Sequence, residues 1–351
     1  MYKVLKTDKI LVTGGRGFLG QAVCERLAAH EYVNVRTFSS NECSLTDQDD
    51  TRTFFCRERP DVVIHLAAVV GGIGANQKNP GRFAYENLMM GLNVTEMCRW
   101  ISVKKLITAA TICAYPKHAP PPFKETDIWN GFMQPRPIGE GYSGWSAMAG
   151  MPDCFPKLPD NPFSNYPEET NAPYGLAKRM LLVLNQAYRQ QYQCNNITLF
   201  PVNLYGPGDH YDLENSHVIP AMLRKFHTAK ISNSPTVTLW GNGSPTREFL
   251  YVEDCAEAFV RAMEDYDLPE PLNVGTGIEI SMRDLAAKIA ETVGFKGEIT
   301  WDTSKPNGQP RRCLDITRIR EALNWHPIMT FSDGLVATYE DFLEREGKNG
   351  L

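Results

Sequence analysis

Residues 9–20 read Lys-Ile-Leu-Val-Thr-Gly-Gly-Arg-Gly-Phe-Leu-Gly. A short apolar strand, 9–13, runs directly into a glycine turn with the spacing Gly14-x-x-Gly17-x-x-Gly20. A helix follows over 18–29, with Leu19, Val23 and Leu27 at helical spacing. In a strand–turn–helix unit each glycine has a physical task. One permits the tight turn, the next lets backbone approach a pyrophosphate at the positive helix end, and the last lets helix and strand pack closely. Gly14, Gly15, Arg16, Gly17, Phe18, Leu19 and Gly20 are therefore candidate dinucleotide contacts. The next strand, 34–38, leads into Ser39-Ser40-Asn41 with no carboxylate before Glu42, where a ribose 2′-hydroxyl would need one. Arg16 stands where a 2′-phosphate would lie, so Arg16, Ser39 and Ser40 point to NADP(H).

Working outward, strands and helices alternate. A near-continuous apolar run at 61–66 suits a parallel strand buried on both faces, a helix spans 82–100, and another strand precedes Thr111. The helical pattern resumes over 174–192, followed by a strand at 197–201. The fold class is α/β: a doubly wound parallel sheet with a smaller mixed α/β lobe. Residues 1–203 and 247–271 are expected to form the dinucleotide domain, and 204–246 with 272–351 the second lobe. In the latter, strands are expected near 237–240, 249–252, 272–274 and 298–301, and Ser281 should cap a helix over 282–293. The stretch 132–165 is dense in Pro, Gly, Ser and Asn and too long for an ordinary connection, so it reads as an inserted loop or lid.

The bulk composition excludes several classes. Of 351 residues, 42% are apolar and 22% charged, as in an ordinary globular enzyme. A net charge of −5 gives no reason to expect nucleic acid or an anionic membrane as partner. The charged opening residues predict no signal peptide, and no apolar run approaches a membrane span. Nine dispersed cysteines suit a reduced, cytoplasmic setting, and the histidines do not cluster with cysteines at zinc spacing, so no metal is expected.

Tyr174 and Lys178 stand at i and i+4 on one helix face. A nearby ammonium is expected to lower the tyrosine pKa, and a phenol so placed can protonate an oxygen while hydride reaches its carbon. With the glycine turn and Thr111, this pair resembles the extended short-chain dehydrogenase/reductases. Finer motifs resemble the GDP-L-fucose synthase family. They are His65-Leu-Ala-Ala68 with Val70-Gly-Gly-Ile73, Thr111-Ile-Cys-Ala-Tyr-Pro116, Tyr166-Pro-Glu-Glu-Thr-Asn-Ala-Pro-Tyr174 and Pro201-Val-Asn-Leu-Tyr-Gly-Pro207. Asn215-Ser-His-Val-Ile-Pro220, Trp240-Gly-Asn-Gly, Arg247-Glu-Phe-Leu-Tyr-Val252 and Lys305-Pro-Asn-Gly308 continue in family order.

That resemblance implies NADPH-dependent 3,5-epimerisation and 4-reduction of GDP-4-keto-6-deoxy-D-mannose. It implies Cys113 as base and His217 as acid, with Thr111 holding the 4-keto oxygen, Tyr174 protonating it and Lys178 on the nicotinamide ribose. It further places cofactor against Leu66, Ala67, Ala68, Ala109, Pro201, Asn203, Leu204 and His217, and the GDP-sugar against Asn203, Lys225, Trp240, Arg247 and Asn307. A homodimer through the helices at 82–100 and 174–192 is also expected, although packing within one subunit accounts for them equally well. The chain departs from the family where Thr111 replaces Ser, Asn307 replaces Asp and Lys225 replaces Arg, and in the insertion at 132–165. Two other readings fit the same motifs: an enzyme for a related GDP-4-keto sugar, and a silent nucleotide-binding scaffold.

Overall fold

The computed structural model describes residues 3–129, 166–212, 216–305 and 309–349. The insertion at 132–165 and Asn307 lie outside the described residues. The first part alternates β1 (Ile10–Thr13), α1 (Phe18–Ala29), β2 (Val35–Thr37), α2 (Gln48–Glu58), β3 (Val62–His65), α3 (Ile73–Lys78), α4 (Pro80–Trp100), β4 (Lys105–Ala109), α5 (Ala172–Tyr192) and β5 (Asn196–Pro201). There follow β6 (Asn203–Tyr205), α6 (Val218–Ile231), β7 (Thr236–Trp240), β8 (Thr246–Tyr251), α7 (Val252–Asp265) and β9 (Leu272–Val274). The chain continues through β10 (Glu279–Ser281), α8 (Met282–Val293), β11 (Glu298–Asp302), α9 (Thr317–Leu323) and α10 (Phe331–Asn349).

Six of these strands form a parallel sheet in the order β2-β1-β3-β4-β5-β9. Its apolar strands are buried on both faces, and the side chains alternate between two cores. Ile10, Val12, Val62, Ile64 and Ile107 point towards α1 and α7, with Val23, Leu27, Phe259 and Met263. Leu11, Val63 and Leu106 point the other way, onto Phe54 and Phe55 of α2 and Met90 and Val94 of α4. The strand order reverses beside β1, so the C-terminal ends of β1 and β3 open a crevice in which such sheets bind ligands. The expected doubly wound fold is therefore present.

A smaller core joins α6, α8 and α10 through Leu223, Phe226, Leu285, Ile289 and Phe342, next to the short strands β7 and β11. Ser281 caps α8, its hydroxyl accepting from Asp284 N, as the sequence predicts. The boundary expected at 272 falls inside the main sheet. β9 pairs with β5, and Leu314, Ile316 and Ile319 pack into the same core as β1.

Glu248 on β8 fastens that return of the chain. It is fully buried, and its carboxylate accepts from Leu314 N at 2.6 Å, Gly277 N at 2.7 Å and Thr276 N. Burial raises its pKa while these backbone donors oppose the rise. The clamped segment also pairs with the stretch after β4: Phe123 N donates to Cys313 O at 2.7 Å and Asp315 N to Phe123 O at 2.8 Å. Residues 309–315 are thereby held close to the ends of β4 and β5.

Candidate active site

The glycine turn closes tightly at the end of β1. Gly14 has φ +69°, and a Cβ there would stand 2.8 Å from Ala67 N. A Cβ at Gly20 would lie 2.1 Å from Gly14 O, so only glycine lets α1 sit this close. Gly17 caps α1 without a side-chain bond, and the first turn holds no acidic residue. The first amides of α1 and its positive end thus face the crevice, a cradle that fits a pyrophosphate. Leu66, Ala67 and Ala68 form the opposite wall, Leu66 N donating to Thr13 O at 3.1 Å.

After β2 the chain folds back, Glu42 N and Cys43 N donating to Ser39 O at 3.0 and 3.2 Å. This carries Glu42 to Arg16 at 3.4 Å and Arg36 at 2.7 Å, while Ser39 N donates to its carboxylate at 3.1 Å. The bond from Arg36 holds the Glu42 carboxyl below its ordinary pKa. Strand position alone leaves Glu42 outside this corner, but the turn at Ser39 brings it in. Arg16 and Ser40 are exposed there.

The chemistry-bearing side chains meet just beyond β4. Thr111 caps a single 3-10 turn, Ile112–Ala114, its hydroxyl accepting from Cys113 N at 3.2 Å. The first turns of α5 press on this turn from above. A Cβ at Gly175 would lie 2.2 Å from Cys113 O, and Arg179 Nε donates to Ala114 O at 2.9 Å. The phenol of Tyr174 thereby faces the Thr111 hydroxyl and the Cys113 thiol, both of which act on it. Further along α5, Asn185 donates to Thr108 and Thr198 Oγ1 at 3.1 and 3.0 Å, locking the helix to β4 and β5.

Lys178 is buried, and its ammonium donates to Ala109 O at 3.0 Å. Burial depresses its pKa to about 8. The expected lowering of the Tyr174 pKa by Lys178 is not found. Burial and the neighbouring Cys113 hold the phenol well above its ordinary value, while Lys178 spends its bond on the carbonyl of Ala109. His65, at the end of β3, is also buried. Its Nδ1 lies 2.8 Å from Thr13 Oγ1, and burial with the charge of Lys178 depresses its pKa to about 3. It is a neutral imidazole tying β1 to β3.

His217 is the N-cap of α6 and is partly exposed. Its Nδ1 lies 3.8 Å from Oδ1 of Asp209, a buried carboxylate on the loop after β6. That loop is held by α10, where Asp341 accepts from Gly208 N and the Tyr211 hydroxyl, each at 3.0 Å. It also approaches the glycine turn, since a Cβ at Gly208 would touch Phe18. Asn203 Nδ2 donates to Glu248 O at 2.9 Å, and Leu204 packs on the main core. Pro201 ends β5 opposite Val274.

The residues expected to bind substrate are dispersed. Arg247 donates through Nη1 to Thr246 O at 2.7 Å, and burial with the charge of Arg312 lowers its pKa to about 10. Trp240 is 66% exposed at the end of β7, with the Lys305 ammonium 5.8 Å above its ring. Lys225 lines a separate surface hollow between α6 and β7 with Thr228, Ser232 and Thr238. Sequence reasoning passed over Arg312, Arg179, Asp209, Arg36 and Glu42. Arg312 stands in an Arg-Arg pair that reads as solvated charge, yet Arg312 Nη1 donates to Cys113 Sγ at 3.5 Å.

Comparison with known proteins agrees with this geometry. The model of the NAD dependent epimerase/dehydratase family matches residues 10–137 and 142–275. A putative GDP-L-fucose synthase 2 of Arabidopsis thaliana is 39% identical over 97% of this chain and 93% of that protein. A solved GDP-6-OMe-4-keto-L-xylo-heptose reductase from C. jejuni superposes with TM-score 0.84 at 26% identity, over 98% of this chain and all of the other. A GDP-L-fucose synthetase from Naegleria fowleri, solved bound to NADP, superposes with TM-score 0.80 at 26% identity, over 99% of this chain and 97% of the other. The chain belongs to the NAD dependent epimerase/dehydratase family and, within it, to the family of the GDP-L-fucose synthases.

Proposed function

We propose that this chain converts GDP-4-keto-6-deoxy-D-mannose to GDP-L-fucose by 3,5-epimerisation and 4-reduction, using NADPH. The observation that carries the reading is the single short turn that holds a hydroxyl and a thiol beside one phenol. A plain reductase needs the hydroxyl and the phenol but has no use for the thiol.

In this reading Cys113 removes the proton from C3 and from C5, the two carbons flanking the ketone. Thr111 and Tyr174 hold the oxygen on which negative charge develops, as preorganised donors. His217 returns a proton from the opposite face, with the Asp209 carboxylate 3.8 Å from its Nδ1. The reduced nicotinamide, when bound, supplies hydride to C4. Tyr174 then donates its proton to O4, and burial keeps the phenol protonated for that step. Lys178 and the wall of Leu66, Ala67, Ala68 and Ala109 hold the nicotinamide ribose. Gly14, Gly15, Gly17, Phe18, Leu19 and Gly20 hold the pyrophosphate, and Arg16, Ser39 and Ser40 the 2′-phosphate. Trp240, Arg247 and Asn203 serve the GDP-sugar, and Lys225, in its hollow between α6 and β7, reaches only the far end of the nucleotide. The main sheet, including β9 and the return at 309–323, forms the dinucleotide lobe, and the core of α6, α8 and α10 the substrate lobe.

Two copies pair through α4 and α5, whose packed helices leave Tyr85, Met180, Val183 and Tyr192 exposed. The eight described cysteines are free thiols, which suits the cytoplasmic setting suggested by the sequence. Among the described residues no helix is long and apolar enough to cross a membrane. Sedimentation of Met180→Glu tests the pairing: a shift from dimer to monomer is expected, and an unchanged mass contradicts it.

Incubation with the keto-sugar and NADPH in deuterium oxide, followed by NMR of the product, tests the function. Deuterium at both C3 and C5 together with NADPH oxidation is expected. Cys113→Ser should lose exchange by about a hundredfold or more. Oxidation without exchange leaves a reductase only, and neither signal points to another GDP-4-keto sugar, such as the heptose named for the C. jejuni reductase.

Lys178 gives a stability test. Its folded pKa is depressed to about 8, so below that pH the fold carries a buried ammonium at a cost on the order of 3 kcal/mol. The cost fades as pH rises from about 8 towards the ordinary lysine value. Lys178→Met should raise the melting temperature at neutral pH by a few degrees, with the gain shrinking at alkaline pH, while abolishing turnover. A lower melting temperature at neutral pH contradicts this account.

A further inference from the structure

Arg312 is a buried guanidinium whose donors diverge to two partners. Its Nη1 donates to Cys113 Sγ at 3.5 Å, and its Nε donates to Gln309 Oε1 at 2.6 Å. Gln309 is itself buried and donates through Nε2 to Lys117 O at 2.9 Å, on the stretch that follows Cys113. The backbone around Arg312 is fastened on both sides. Thr246 N donates to Pro310 O at 2.9 Å, Phe123 N to Cys313 O at 2.7 Å, and Leu314 N to the buried Glu248 at 2.6 Å. The guanidinium is therefore held against the sulfur by its own hydrogen bonds and by a backbone that cannot swing away.

This arrangement is unfavourable for a thiol that merely packs. The charge of Cys113 also acts on Arg247, from β8, and the two guanidinium groups repel one another. A buried Arg312 and a half-buried Arg247 near one neutral, weakly accepting thiol are poorly compensated. The same cations around a thiolate make a charge-assisted contact. The other ionisable groups facing this corner are Tyr174 from α5, beside the sulfur, and Glu168 and Glu279, whose charges act on Arg247. Glu279 is also paired with Arg311 at 2.5 Å, so it is partly compensated.

We propose that Arg312 is a positioning residue for epimerisation: it holds Cys113 as a thiolate aimed at the sugar, and Gln309 fixes its guanidinium. This rests on the reading of Cys113 as the base. The proton balance is simple. The thiolate takes the proton from carbon and becomes a thiol, the carbon's electron pair delocalises onto the ketone oxygen, and the thiol must lose its proton before the next abstraction. Arg312 favours that loss without itself exchanging protons. A lysine supplies the charge, but it cannot direct separate planar donors to both Sγ and Gln309.

Iodoacetamide alkylation of Cys113, followed by peptide mapping across neutral and alkaline pH, tests the proposal. It is run on wild type, Arg312→Gln, Arg312→Lys and Gln309→Leu, with NADPH binding as the folding control. In Arg312→Gln the alkylation rate at neutral pH should fall about tenfold and recover at alkaline pH. Deuterium exchange at C3 and C5 should follow the same profile. Arg312→Lys should restore much of the rate, and Gln309→Leu, which keeps the charge but frees it, should lose less than Arg312→Gln. An unchanged alkylation profile in Arg312→Gln overturns the proposal, as does a loss equal at every pH, which marks altered access. If alkylation shifts as expected while isotope exchange does not, Arg312 does hold the thiolate, and it is the reading of Cys113 as base that fails.

Discussion

The first turns of α5 rest on the turn Ile112–Ala114, and the rest of the site takes its position from that contact. Gly175 admits the carbonyl of Cys113 where any side chain would collide, and Arg179 grips the carbonyl of Ala114. The turn cannot shift without moving the helix, and Asn185 locks the helix to β4 and β5. The hydroxyl of Thr111, the thiol of Cys113 and the phenol of Tyr174 are thus fixed relative to one another by packing and buried hydrogen bonds. Such rigidity is what chemistry on a small ketone requires, because a misplacement of about 1 Å costs orders of magnitude in rate.

Charge divides the work among these groups. The thiol accepts from the Arg312 guanidinium, whereas His217 has a buried carboxylate beside its ring. The two groups thus stand in surroundings of opposite charge. Burial acts on the remaining members. It keeps Tyr174 protonated, His65 neutral and Lys178 only weakly basic, close to the point where it changes charge. The cost of burying Lys178 is a local loss of stability that the fold carries for the sake of its site.

Much of this was legible in the sequence, and what was missed has physical causes. The strand–glycine–helix unit gave α1 to the residue, because turn chemistry and helical periodicity agree there. Ser281 gave α8 in the same way. α2 escaped notice because its buried Phe54 and Phe55 are adjacent and its other positions are mostly polar, leaving no long apolar stripe. The extent of the second lobe was misjudged because strand pairing is non-local: nothing in Leu272-Asn-Val274 says that it will join β5. Thr111, Cys113, Tyr174 and Lys178 stood out by type and spacing. Arg312 did not, since it reaches Cys113 from 199 positions away in the chain, and a pair of arginines looks like solvated surface until the fold buries one of them. Glu42 was passed over because its approach to Arg16 depends on a backbone turn at Ser39.

The central claim is that one rigid turn carries two separable chemistries: Cys113 serves epimerisation alone, whereas Thr111 and Tyr174 hold the ketone oxygen in both steps and are all that reduction asks of the turn. The most direct measurement supplies the already epimerised ketone, GDP-4-keto-6-deoxy-L-galactose, to Cys113→Ser and follows NADPH oxidation. The account predicts a rate close to that of the unaltered protein, while the same variant fails on the unepimerised sugar. Loss of reduction on both ketones would contradict it, because the thiol would then be part of the reductive machinery or a support for the turn itself.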